Sequence, residues 1–317
     1  MTKTETHLLG ADDSGLNHAA RILQDGGLVS FPTETVYGLG ADARNDTAVA
    51  KIYDAKDRPN FNPLIVHVPS LAAAREYCEF NDCAEQLANR FWPGPLTLVL
   101  PLKQRSGISR LVTAGLPTLA IRVPNSPIAL ELLSMVEVPI AAPSANVSGS
   151  VSPTTAAHVM SGLGGLIDAV VDGGPCTVGL ESTIIGCSGR PSLLRPGGVS
   201  AEAIEDVLGA PLGAASSTIN APGQLQSHYA PKGAVRINVQ VPTSDEVFVG
   251  FGPTANADMN LSVSGDLSEA AVNLFDTLHK LNEMGAKRIA FAPVPMIGIG
   301  AAINDRLRRA AAPRPIE

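Results

Sequence analysis

Positive charge is scarce in this chain. Its 317 residues carry 23 Lys and Arg against 30 Asp and Glu, a net charge of −7. A broad basic surface for nucleic acid is thereby disfavoured, which leaves room only for a local patch. Aromatic residues are few as well, with eight Phe, four Tyr and one Trp. The core must therefore be built from Val, Ile, Leu and Ala. No apolar run approaches the roughly 18 residues of a membrane span, and MTKTETHLLG at the start has no apolar signal core. The four cysteines, Cys78, Cys83, Cys176 and Cys187, form neither a CxxC pair nor a zinc ribbon. They are expected as reduced, packed thiols in a cytoplasmic protein. A Walker A sequence, HExxH and a G-x-S-x-G elbow are missing too. Gly298-Ile299-Gly300 precedes a helix pattern, but Ile303 stands where a dinucleotide fingerprint needs its third glycine.

Glycine and proline, by contrast, are plentiful at 30 and 25 residues, which implies many tight turns between short elements. Over residues 1–209 strand-like and helix-like patterns alternate. Strands are expected at 27–31, 63–68, 96–100, 118–123, 139–142, 167–172, 182–185 and 191–194. Helices are expected at 46–56, 71–78, 82–92 and 200–208, and Ser152-Pro153 reads as an N-cap with proline in the first turn. Residues 210–231 contain no Lys, Arg, Asp or Glu and no periodicity, the composition of a linker. Residues 232–317 read as a smaller α/β domain, with strands at 234–241, 246–251, 260–264 and 287–292 and helices at 267–284 and 301–311. Residues 1–231 without this second domain are expected to be soluble and to bind nucleotide.

Because cations are scarce, their positions are informative. No Lys or Arg occurs from 123 to 189 or from 196 to 231. Lys56, Arg58, Arg122 and Arg195 stand beside loops of small residues and proline. Arg122 lies inside the apolar run TLAIRVP, where an arginine is costly to bury without an anionic partner. One such arginine alone is equally a structural ion pair; several together, with few compensating acids, fit an anionic ligand better. Lys56 and Arg58 lie two apart and do not share a helix face, so across a chain reversal they can grip different oxygens of one polyphosphate. Three hydroxyl-rich segments, at 32–38, 143–149 and 180–183, each adjoin a predicted strand. Strand ends are where open α/β sheets place ligands. Taken singly, each segment also reads as a local turn. His67, in PLIVHV, is either a core histidine or a neutral hydrogen-bonding group for a small polar ligand.

Several segments occur in an order that resembles the YrdC-type domain of threonylcarbamoyl-AMP synthases. They are FPTETVYGLG (31–40), KDRPNFNPLIVHV (56–68), WPGPLTLVL (92–100), TLAIRVP (118–124), PIAAPSANVSG (139–149), DGG (172–174), GLESTII (179–185) and LLRPG (194–198). HYAP (228–231) and GIGAAINDRLRRA (298–310) resemble the longer, two-domain members. The resemblance implies a twisted, open mixed sheet with helices at 1–209, a linker or lid at 210–231 and a Rossmann-like domain at 232–317. It implies formation of L-threonylcarbamoyl-adenylate and pyrophosphate from L-threonine, bicarbonate or CO2 and ATP, with Mg²⁺ accompanying ATP and no organic cofactor. A separate transferase complex would then modify tRNA.

The resemblance places the family's KxR and SxN elements on Lys56, Arg58, Ser144 and Asn146 as catalytic residues. Nucleotide contacts map to Arg58, Asn62, Thr118, Ser144, Ser152, Arg195, His228 and Tyr229. Threonine contacts map to Thr35, His67, Arg122, Ala142 and Ser182. The linker here, PGQLQSHYAP, is less basic than the family pattern, which weakens its expected grip on phosphate. The other reading is an RNA-binding module without synthase activity, which the net charge and the few aromatics disfavour.

Overall fold

The computed structural model describes residues 5–59, 61–213 and 229–313. The chain opens with strand β1 (His7–Gly10), helix α1 (Asp13–Gln24), strands β2 (Val29–Phe31) and β3 (Gly38–Asp42) and helix α2 (Asp46–Lys56). Next come β4 (Ile65–His67), α3 (Leu71–Tyr77), α4 (Asp82–Phe91), β5 (Leu96–Pro101), β6 (Thr118–Arg122), α5 (Pro127–Val136) and β7 (Ile140–Ala141). The first part closes with α6 (Ala156–Leu163), β8 (Ala169–Asp172), β9 (Thr183–Gly186), β10 (Ser192–Arg195) and α7 (Ala201–Leu208). The C-terminal part contains β11 (Ala234–Arg236), β12 (Val247–Gly250), β13 (Met259–Asn260), α8 (Leu267–Glu283), β14 (Arg288–Phe291) and α9 (Gly300–Ala310).

Local chemistry sets the helix starts. Asp12, Asn45, Ser70, Asn81, Ser126, Thr155, Ser200 and Asp266 each accept a backbone N–H with the side chain at an N-cap. Thr155 caps α6, so the expected start at Ser152-Pro153 is three residues early. Ser152 is instead fully buried, and its hydroxyl donates to the Glu181 carboxylate at 2.7 Å. β1, α1, β3 and α5 lie outside the expected elements. In β3 the glycines disguise a strand: a Cβ on Gly40 would sit 2.8 Å from the Phe31 ring, so only glycine lets β3 lie against β2.

The first sheet has ten strands in the order β1-β8-β2-β3-β7-β4-β6-β5-β9-β10. Pairing is mixed: β4 with β6 and β5 with β9 are parallel, whereas β3 with β7 and β5 with β6 are antiparallel. One core packs Val66, Leu98, Ile121 and Ile185 from the sheet with Val49, Ile52, Leu87 and Ile204 from α2, α4 and α7. A second joins α1 and α5 through Leu16, Leu23, Leu132 and Leu133. On the opposite face of the central strands a small apolar cluster holds Ile65, Val99, Ala120 and Ile184, with Leu194 beside them. Ile65 from this cluster, with His67 on the same strand and Arg122 beside it on β6, lines the site described below.

The second sheet, β11-β14-β12-β13, is parallel throughout, with α8 and α9 packed on it. Its core also takes in Val36, Val151 and Leu180 from the first part of the chain. Gly179, at φ 73°, brings its backbone against α8, where a Cβ would meet Val272 Cα at 2.4 Å. The two parts therefore meet across shared apolar packing, not only through the linker. Among the described residues no helix is long and apolar enough to cross a membrane.

Candidate active site

Parallel pairing of β4 with β6 sets His67 directly beside Arg122. Neighbours in register point to the same face, so the imidazole and the guanidinium enter one cleft together. Thr33 folds the turn after β2 on itself, its hydroxyl bonding Val36 O at 2.7 Å and Thr35 Oγ1 at 2.8 Å. Thr35 Oγ1 then accepts from Arg122 Nη1 at 2.9 Å, and Gly94 O accepts from Arg122 Nε at 3.1 Å. The anionic partner demanded by a buried arginine is Glu34, which lies 2.6 Å from Arg122 Nη2. The contact is close but not aligned as a hydrogen bond. The expectation of few compensating acids is corrected here, since Glu34 and Glu181 both stand among the cations.

Arg58 reaches the cleft because α2 ends on Asp57 in the left-handed conformation, which reverses the chain. Its Nη2 donates to Pro63 O at 3.0 Å. Burial lowers its pKa to about 10, with Arg195 as a nearby like charge, so it remains a cation at neutral pH. Arg195 enters from a bulge in β10 and donates to Ser182 O at 3.1 and 2.9 Å and to Ser182 Oγ at 3.1 Å. Thr97 shares a 2.7 Å hydrogen bond with the same Ser182 hydroxyl. His67 is held neutral, its pKa pushed down to about 3 by burial and by Arg122.

These groups line one cleft. Of the residues expected at the site, the cleft is lined by Thr35, Arg58, His67, Arg122, Ala142, Ser144, Ser182, Arg195 and Tyr229. Four others stand behind its wall. The Lys56 ammonium is buried and donates to Ser144 O at 2.6 Å and to Asn146 O. Lys56 thus braces the 143–149 loop instead of facing the cleft. Burial, with Arg58 close by, holds its pKa well below the usual lysine value. Asn146 donates to Val147 O and Ser150 O, Ser152 bonds Glu181, and Asn62 is buried beside Arg58. Thr118 lies in a neighbouring cleft with Val99, Arg190 and Leu194. His228 lies outside the described residues.

Two residues escaped sequence reasoning. Glu34 was visible only as part of a polar turn. Arg306, from α9, is completely buried and donates to Glu181 at 2.9 Å, 125 positions away in sequence. The available signal was an arginine among Ala302, Ile303 and Ala310, on the apolar face of an amphipathic helix.

Buried polar atoms without aligned partners gather around the cleft. They include both Glu34 oxygens, Arg122 Nη2, His67 Nδ1, both side-chain atoms of Asn62 and Asn146 Oδ1. Such groups are rare in folded proteins. The matched family model, described as "Telomere recombination" (Sua5, YciO and YrdC), covers residues 21–197.

The chain belongs to the Sua5/YciO/YrdC family. A second model, "Threonylcarbamoyl-AMP synthase, C-terminal domain", matches residues 199–312, as in the two-domain Sua5 form. The threonylcarbamoyl-AMP synthase of Pyrococcus abyssi is 41% identical over 324 residues, covering 94% of each chain. That of Bacillus subtilis is 40% identical over 338 residues, covering 98% of this chain and 97% of its own. The crystal structure of P. abyssi Sua5 complexed with L-threonine superposes with a TM-score of 0.88 at 39% identity, over 96% of this chain and 98% of that one. Sua5 proteins thus share both the sequence and the two-domain fold described here.

Proposed function

We propose that this chain is an L-threonylcarbamoyladenylate synthase, which joins L-threonine, bicarbonate (or CO2) and ATP with release of pyrophosphate. The observation that carries this reading is the convergence of Arg58, Arg122 and Arg195 with His67, Ser144 and Ser182 on one cleft. Arg122 holds the threonine carboxylate as a planar fork, and Thr35, Ser182 and neutral His67 recognise its polar groups. Arg58 and Arg195, with Ser144 between the strand ends, take the phosphates. The nucleoside runs along the strip of Ile65, Ala120, Val99 and Ile184 toward Thr118, where an apolar floor suits a base.

The threonine amine first takes up CO2, losing a proton and forming a carbamate. A carbamate oxygen then attacks the α-phosphorus, and the bond to pyrophosphate breaks. No enzyme nucleophile is needed, so catalysis consists of positioning and charge stabilisation. Mg²⁺ is read as part of the ATP substrate. Among the described residues no group of three or more His, Cys, Asp and Glu stands together to cage a metal, and Glu34 and Glu181 already face guanidinium groups. The product is a labile mixed anhydride that must be kept from water; most of the 210–231 segment expected as a lid, residues 214–228, lies outside the described residues. The product's consumer is a tRNA threonylcarbamoyl transferase complex, and both enzymes act in the cytoplasm. The test is threonine-dependent release of pyrophosphate, with mass spectrometry of the adenylate made from isotopically labelled bicarbonate. Failure of the label to enter the product would overturn the reading.

A further inference from the structure

The C-terminal domain contributes a charge to the wall of the catalytic cleft. Arg306 on α9 is fully buried and donates through Nε to Glu181 at 2.9 Å, and through Nη1 to Pro196 O at 2.9 Å and Asp305 at 2.8 Å. Its guanidinium carbon lies 5.2 Å from the centre of the Tyr229 ring. Glu181 lines the cleft beside Ser182, the residue that Arg195 grips. The Glu181 carboxylate also accepts from Ser152 at 2.7 Å. Burial alone would raise the Glu181 pKa, but Arg306, Arg195 and the Ser152 hydroxyl outweigh it and bring it down to about 2. A fixed negative charge therefore stands in the wall of a cleft read as a phosphate site. Gly197 presses that wall together, since a Cβ there would lie 2.3 Å from Glu181 O.

We propose that Arg306 is a positioning residue for nucleotide binding: by engaging Glu181 from the second domain, it keeps that carboxylate from neutralising Arg195. This rests on the assignment of Arg195 to the phosphates. Without Arg306 the carboxylate turns to the next guanidinium, Arg195, and ATP meets one cation fewer. Domain docking thereby becomes a condition of nucleotide affinity, and the second domain acts on the reaction without touching substrate.

The experiment measures threonine-dependent pyrophosphate release by the full chain as ATP is varied, with melting curves to verify folding. Arg306→Ala should raise the KM for ATP by about ten-fold or more with a much smaller change in kcat, and Arg306→Ala combined with Glu181→Gln should return it to within about three-fold of the parent. A purely structural role would leave the double variant as impaired as the single one, and that result overturns the proposal. If Arg306→Ala does not fold, Arg306→Lys and the double variant Arg306→Met with Glu181→Gln both keep the wall balanced. Each should hold KM within about three-fold, and a rise of about ten-fold in either overturns the proposal. Arg195→Ala separates the two readings. An unchanged KM there overturns the phosphate assignment and the proposal with it. A raised KM there, with a normal one in Arg306→Ala, overturns the role of Arg306 alone.

Discussion

Glu34 and Arg122 face each other at 2.6 Å with both side chains 4% exposed, at the point where the substrate carboxylate is proposed to bind. Glu34 is the anion that balances this buried arginine. Removing one partner of a buried pair leaves the other charge uncompensated, at a cost of about 3–5 kcal/mol. Glu34→Gln should therefore lower the melting temperature, and threonine should restore more of it than it adds to the parent. Thermal melts with and without threonine test this; equal threonine shifts in both proteins would count against the exchange of anions.

Arg122→Ala should weaken threonine binding by about 2–5 kcal/mol, because a desolvated carboxylate loses its bidentate partner. Calorimetric titration of threonine into the folded variant is the measurement. Affinity within about two-fold of the parent would place the carboxylate elsewhere.

Lys56 illustrates a structural role at a motif position. Its ammonium ties together the carbonyls of Ser144 and Asn146. Lys56→Ala should cost about 1–3 kcal/mol in denaturant unfolding, the penalty for buried acceptors left without a donor. The 143–149 loop should also lose its shape, lowering kcat. Full stability in the variant would contradict the brace.

The domain interface should be sensitive to acid. His158 on α6 and His279 on α8 stack with ring centres 3.8 Å apart. His158 Nδ1 faces the Thr154 backbone N–H, and His279 Nε2 lies 3.1 Å from Ser152 O. Asp276, Lys280 and Glu283 on α8 are the charged groups around the pair. Burial and the neighbouring imidazole push the His158 pKa from 6.5 down to about 4, and burial lowers that of His279. The unfolded chain thus binds more protons in that window, so stability falls as pH drops from about 6.5 toward 4 and is retained above it. His158→Gln should flatten this dependence in melting curves, and an unchanged pH slope would sink the assignment.

Removal of residues 232–317 should be disruptive. It exposes Val36, Val151 and Leu180 and leaves Glu181 without Arg306. This revises the expectation of a soluble nucleotide-binding fragment. Size-exclusion chromatography should show aggregation, whereas a monomeric fragment with the parent's ATP affinity would refute the shared packing.

Much of the fold was legible because its signals are local. Asn45, Ser70, Asn81 and Ser200 cap helices where the pattern predicted them, and β5, β6 and β9 follow apolar runs closely. β3 was not legible, since GLGAD lacks the branched residues that mark strands, and its glycines answer to contacts with Phe31 and Ile140. At the site, scarcity of cations singled out Arg58, Arg122 and Arg195, and all three line the cleft. The same reasoning put Lys56 there too, because proximity to Arg58 in sequence says nothing about which side of a left-handed C-cap each residue takes.

The amino-acid order alone marked where α2, α3, α4 and α7 begin, singled out Arg122 as needing an anion and set an aliphatic core. Those are properties of neighbours within a few residues, or of composition. Only the tertiary structure decided that the anion for Arg122 is Glu34, that Lys56 serves a loop, and that Arg306 crosses to Glu181. Charge pairing depends on distance in space, and strand register and domain docking bring together groups that the chain keeps up to 125 positions apart.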